Sequence, residues 1–136
     1  MSTLIVYYSF SGNAKRLAGS LAAQLPADLI ELRDAKKIGK LKAYTAGIVK
    51  SIGGKAWPVQ PLDVDFALYS RVMLIAPVWA GNVPPAVNHL WDLLPAGTAL
   101  EVTLVSGSGK SECRARLEKT LQERGCVLVS LEDIKM

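Results

Sequence analysis

Histidine and cysteine are scarce in this sequence, and long apolar runs are missing from it. One histidine, His89, and two cysteines, Cys113 and Cys126, stand among 136 residues. One histidine and two scattered thiols exclude a zinc site of the usual ligand count and spacing, so no metal is expected. Two thiols make no disulfide framework. They read as reduced side chains packed in or near the core, the usual habit of free cysteine. A redox role for Cys113 stays open, because a helix start can lower a thiol pKa. No apolar stretch approaches the roughly 20 residues of a membrane-spanning helix. The opening Met1-Ser2-Thr3 carries no basic leader, and the apolar run after it is short. No secretion signal is therefore expected, and the expected location is cytoplasmic.

Acidic residues are in the minority, 12 against 16 Lys and Arg, for a net charge of +4. The imbalance is local. Arg33, Lys36, Lys37, Lys40, Lys42, Lys50 and Lys55 face Asp34 alone in that stretch. Such a segment is either a solvated face or a patch for an acidic protein, nucleic acid or an anionic membrane. No nucleic-acid-binding motif accompanies it, so nucleic acid is not an expected partner.

What the sequence does hold is half hydrophobic and 21% charged, ordinary for a globular protein with a large inner sheet. The length predicts one domain, residues 1–136. Short apolar runs predict strands at 4–8, 29–32, 72–76, 100–105 and 127–131. Apolar spacing of three and four predicts helices at 14–25, 86–94 and 111–124. On the wet side of the last helix, Glu112 with Arg116 and Lys119 with Glu123 stand four apart. The glycine-interrupted stretch 33–61 is the least legible, with a short helix expected near 41–51. The alternation predicts an α/β fold, a parallel sheet with helices on both faces. Ligands of such sheets lie beyond the carboxyl ends of the strands, where strand order reverses.

Three loops leave strand ends there. Ser9-Phe10-Ser11-Gly12-Asn13-Ala14 runs from a strand into a helix, whose free N–H groups and dipole attract a phosphate. Ser9 and Ser11 add hydroxyls, and Gly12 allows close approach. Lys15 and Arg16 put positive charge where a bare helix prefers acid. The competing reading is an ordinary turn with Ser11 or Asn13 as N-cap. In residues 77–85, Trp79 is either a platform for a flat aromatic ligand or a side chain folded back onto the core. Ser106-Gly107-Ser108-Gly109-Lys110-Ser111 lacks the first P-loop glycine, since Leu104 stands there. It is either a loop beside a ligand or a plain flexible turn.

Together these segments resemble the flavodoxin family. Ile5-Val6-Tyr7-Tyr8-Ser9-Phe10-Ser11-Gly12-Asn13 is similar to its FMN-phosphate loop, T/S-x-T/S-G-N-T. Met73-Leu74-Ile75-Ala76-Pro77-Val78-Trp79-Ala80-Gly81-Asn82-Val83-Pro84-Pro85 is similar to the strand and loop that hold the isoalloxazine ring in bacterial flavodoxin-like proteins. The resemblance implies a five-stranded parallel sheet in the order 2-1-3-4-5, noncovalent FMN and electron transfer between redox partner proteins. It implies a cofactor site in which Ser9, Ser11, Gly12 and Asn13, flanked by Phe10 and Ala14, hold the phosphate. Pro77, Val78, Trp79, Ala80, Gly81 and Asn82 would line the ring, with a peptide near Gly81 turning toward N5. Ser106, Gly107, Ser108 and Gly109 would close the other side. Three departures stand out: Ala14 replaces the family's threonine, the third loop has no stacking tyrosine, and the charge is basic where family carriers are acidic. No acid–base pair stands near the site, so no catalytic residue is assigned and a carrier is favoured. An FMN-dependent NAD(P)H quinone or flavin reductase, and a non-redox binding module on the same fold, are the alternatives.

Overall fold

Leucine, isoleucine and valine runs form strands where the periodicity predicts them, because their branched side chains pack on a pleated sheet covered from both sides. The computed structural model describes residues 2–136. The strands are β1 (Thr3–Tyr7), β2 (Ala27–Glu31), β3 (Arg71–Pro77), β4 (Ala99–Ser106) and β5 (Val127–Lys135). They form one five-stranded sheet in the order β2-β1-β3-β4-β5. Every neighbouring pair is parallel.

The register brings three strand ends together. Tyr7 pairs with Ile75, and Pro77 pairs with Val105. The loops after β1, β3 and β4 therefore leave one edge of the sheet side by side.

Alternate residues of each strand face opposite layers. On one face Ile5, Tyr7, Met73, Ile75 and Val105 pack against Ala14 and Ala18 of α1 (Asn13–Gln24). On the other, Leu4, Val6, Leu74, Ala76 and Leu104 meet Val87 and Leu90 of α4 (Pro85–Leu90), and Leu117 and Leu121 of α5 (Arg114–Glu123). Leu74, Ile75, Leu90 and Leu104 are fully buried, and each contributes about 1.5–3 kcal/mol.

Between β2 and β3 a continuous helical segment comprises α2 (Lys40–Lys42), a π-helical stretch (Ala43–Gly47) and α3 (Ile48–Ile52). The Thr45 hydroxyl donates to the Leu41 carbonyl, 2.8 Å, within it. Ala43, Gly47 and Ser51, four apart, are its buried face. A Cβ on Gly47 would lie 2.7 Å from the Trp79 ring, so only glycine lets the helix come this close.

The structure departs from the periodicity in three places. β5 extends to Lys135, along the whole of β4. α4 ends at Leu90, and the chain tightens with Asp92 N–H to His89 O (3.2 Å) and Leu93 N–H to Leu90 O (2.9 Å), three residues apart. α5 begins only at Arg114, so Glu112 precedes it and forms no helical pair with Arg116. Arg116 donates instead to the Ser51 carbonyl, and the i,i+4 ion pair observed is Arg114 with Glu118, 3.7 Å. No helix among the described residues is long and apolar enough to cross a membrane.

Candidate functional site

The first loop starts a helix without capping it. The Gly12 N–H donates to Ser9 Oγ, 2.9 Å, which closes the turn. Gly12 is itself the N-cap, in the left-handed region at φ 104°, and no side chain caps the helix. Neither Ser11 nor Asn13 serves as N-cap; Asn13 Oδ1 accepts from the Arg16 guanidinium. Gly12's own amide is spent on Ser9. The amides beyond it, from Asn13 to Lys15, begin a helix with no acidic residue in its first turn. A Cβ on Gly12 would meet nothing within 4 Å, so the space above the turn is open. Ala14 is buried against the sheet and offers no hydroxyl.

The second loop is a tight two-residue turn. Trp79 N–H donates to Asn82 O (2.7 Å), and Asn82 N–H to Trp79 O (3.0 Å). Ala80 and Gly81 have φ 51° and 80°, the pattern of a type I′ turn. For Ala80, which carries a Cβ, that conformation costs about 1–2 kcal/mol. Gly81 O accepts from Glu112 N–H, 2.7 Å, and Asn82 Oδ1 accepts from Arg116, 3.1 Å. The Gly81 carbonyl is thus engaged by the segment leading into α5 in this structure. Asn82 likewise faces α5.

Trp79 folds back onto neighbouring aromatic rings and still reaches a cavity wall. It packs edge-on against Tyr8 (centroids 6.1 Å apart), Phe10 (5.6 Å) and Trp57 (6.1 Å). It also remains partly exposed on a cavity wall. Its support is anchored by Asp34, whose Oδ2 accepts from the Tyr8 hydroxyl (2.6 Å) and Oδ1 from Trp57 Nε1 (2.7 Å). Burial, and then the Asp34 hydrogen bond, hold the Tyr8 phenol pKa well above its ordinary value.

The third loop repeats the device of the first. Gly109 N–H donates to Ser106 Oγ, 3.0 Å, and Gly109 takes φ 71°. Space beside Gly107 is open, whereas Gly109 is packed against Lys135. Ser108 Oγ accepts from the Lys110 amide, 3.3 Å.

A cavity of about 340 Å³ opens where these loops meet. Phe10, Ser11 and Asn13 line it from the first loop, Pro77, Val78, Trp79 and Ala80 from the second, and Ser106 and Gly107 from the third. Ser9, Gly12, Ala14, Gly81, Asn82, Ser108 and Gly109 lie off its wall. The wall also includes Ala43, Tyr44, Ile48, Val105 and Met136, which the sequence analysis does not pick out. The small residues Ala43 and Gly47, four apart, are the signal in the sequence for that close helical approach.

Cys113 is off the wall and buried, and burial pushes its thiol pKa up, the opposite of what a reactive thiolate needs. Among the described residues no group of three or more His, Cys, Asp or Glu is placed to hold a metal.

No protein-family model and no curated protein matches the sequence. Solved structures do match. A flavoprotein from Lactobacillus acidophilus NCFM, crystallised in complex with FMN, is 21% identical with a TM-score of 0.70, over 96% of this chain and 91% of that one. A candidate flavoprotein from Bacteroides eggerthii DSM 20697 is 17% identical with a TM-score of 0.79, over 96% and 86%. Another from Bacteroides uniformis ATCC 8492 is 20% identical with a TM-score of 0.71, over 96% and 88%. The fold is flavodoxin-like. In that arrangement β1 and β3 lie side by side where strand order reverses, and the cavity lies beyond their carboxyl ends, where ligands of such sheets bind.

Proposed function

We propose that this chain binds FMN without a covalent bond and carries electrons between redox partners. One observation carries the reading: three loops of the resemblance converge on one cavity, beside a helix start that no side chain caps. The cavity lies at the lower end of the size range of cofactor pockets. A structural neighbour crystallised with FMN supports the choice of ligand.

The residues present fit the group. The amides of Asn13, Ala14 and Lys15, with the Ser11 hydroxyl, would hold a phosphate on the turn that Ser9 closes, and Lys15 and Arg16 would offset its charge. Trp79, Val78, Phe10 and Tyr44 would shelter a flat apolar body from water. When bound, the flavin supplies one- and two-electron chemistry; the chain supplies binding, orientation and electrostatics. No proton step is assigned to a side chain. The net charge of +4 suits acidic redox partners.

A second reading, an FMN-dependent NAD(P)H quinone or flavin reductase, draws on the third loop. It offers Ser106 and Gly107 to the cavity and no aromatic, so one ring face would stay open to a second substrate. Rapid bleaching of bound FMN by NADH or NADPH in stopped flow would favour that enzyme.

The primary test is an absorption spectrum of the purified protein, followed by FMN titration. Flavin absorbance and saturable uptake are expected. A colourless protein that takes up no FMN would overturn the reading and favour a non-redox module. Ser11→Trp should block the phosphate end. Trp79→Ala should weaken binding by about 1–3 kcal/mol, by analogy with base–aromatic stacking.

A further inference from the structure

A second cavity, of about 410 Å³, lies on the other side of the segment formed by α2, the π-helical stretch and α3. Its charge is one-sided. Lys36, Lys42 and Lys50 line it, and Asp34 is the one acid on its wall. Both Asp34 oxygens already accept hydrogen bonds, from Tyr8 and from Trp57. Among the described residues none of these lysines forms an ion pair with a carboxylate. The Lys42 ammonium sits 5.6 Å from the centroid of the Trp57 ring, so its charge is held at the cavity wall. The remaining wall is apolar, from Ile38, Ala56, Trp57 and Pro58.

Lys36 and Lys42 are exposed and Lys50 is half-buried, so three lysines without a carboxylate partner surround an otherwise apolar pocket and repel one another through a partly screened field. A bound anion relieves that repulsion, and an apolar body attached to it fills the rest of the volume. The wall that carries the pocket is also firm. Ala35 N–H donates to Pro58 O, 3.1 Å, and Gln60 N–H to Arg33 O, 2.8 Å, tying the two chain segments across its base.

We propose that this second cavity is a binding site for a small aromatic phosphate, the phosphate held by Lys36, Lys42 and Lys50 and the ring set against Trp57, Pro58 and Ile38. Ammonium groups act as point charges toward phosphate, so the site takes a dianion in preference to a monocarboxylate. The proposal does not depend on FMN binding in the first cavity. Trp57 forms the partition between the two, touching Trp79 edge-on from one side and lining the second cavity on the other.

The three tryptophans make the test local. Trp57 lines the second cavity and Trp79 the first, while Trp91 is buried and donates to Asn88 Oδ1, 3.2 Å. Their indole N–H resonances, assigned by single Trp→Phe substitutions, are followed in the ¹⁵N-labelled protein with one equivalent of FMN present. Phenyl phosphate should shift the Trp57 resonance saturably and leave that of Trp91 in place. Benzoate, phenol and inorganic phosphate should each bind at least about tenfold more weakly, a difference of about 1.4 kcal/mol. Lys42→Ala with Lys50→Ala should weaken phenyl phosphate by about tenfold or more, while the dispersion of the spectrum reports that the variant is folded.

The absence of a saturable Trp57 shift would overturn the proposal. So would equal binding of phenol, which carries no charge, or undiminished binding by the double lysine variant. The FMN reading fails separately, by an unmoved Trp79 resonance when FMN itself is added.

Discussion

Gly47→Ala tests the tightest contact around Trp79. Gly47 has ordinary helical dihedrals, φ −63° and ψ −47°. In open space the substitution would stabilise a helix by about 1 kcal/mol. Here the new methyl would stand 2.7 Å from Trp79 Cζ3, 3.3 Å from its Cε3 and 3.2 Å from Trp57 Cη2. Neither ring yields easily, since Tyr8, Phe10 and Trp57 surround Trp79 and Asp34 holds Trp57. Overpacking of this kind costs about 1–3 kcal/mol. The net expectation is a loss of up to about 2 kcal/mol. Gly19→Ala is the control. It lies within α1, where an added Cβ meets nothing within 4 Å, so stability should rise by about 1 kcal/mol. Urea unfolding of both variants measures the difference, and tryptophan emission reports displacement of the ring. The one free direction for Trp79 is into the first cavity, so FMN affinity should fall as well. If Gly47→Ala were as stabilising as Gly19→Ala, with emission and FMN affinity unchanged, the close packing inferred here would be refuted.

Tyr8→Phe should change the alkaline pH dependence of stability. The folded chain keeps the Tyr8 phenol neutral above its ordinary pKa of about 10, whereas the unfolded chain ionises it there. Its contribution is therefore complete below about pH 10 and declines at higher pH by up to about 1.4 kcal/mol per pH unit. Urea midpoints across that range should fall less steeply in the variant; Tyr7 and Tyr69, also raised, leave a residual slope. Ser51→Ala should stabilise the protein by about 1 kcal/mol in the same assay, because Ser51 Oγ is buried without a hydrogen-bond partner. Cys113 and Cys126, both buried, should react slowly with a thiol reagent in the native state and fully in urea.

The sheet was legible because the central strands β1 and β3 carry unbroken apolar runs. Leu4 to Val6 and Val72 to Ala76 are buried on both faces, and runs this short, bounded by polar or turn-forming residues, read as strands. The far end of β5 was not legible. Glu132 and Asp133 sit on an edge strand, where backbone pairing with β4 continues after the apolar pattern has ended. The start of α5 was misplaced because tertiary partners compete with the helix for its first residues. The Ser111 hydroxyl donates to Asp133, 3.1 Å, and the Glu112 amide goes to Gly81. Of the candidate site, the three loops were visible as turn chemistry after strands. Tyr44 and Ile48 were not, since an apolar residue on a helix reads as core, and Tyr44 is 72% exposed beside the cavity instead. The capping alternative for Ser11 and Asn13 was plausible on residue types and lost to Gly12, whose left-handed backbone starts the helix.

The two serine-to-glycine turns, Ser9 with Gly12 and Ser106 with Gly109, bear on the speed and cost of association. Each loop is stapled by its own hydroxyl before any ligand arrives. A ligand held between them would then cost less chain entropy than one that had to order two open loops, as in a socket shaped in advance rather than a closing hand.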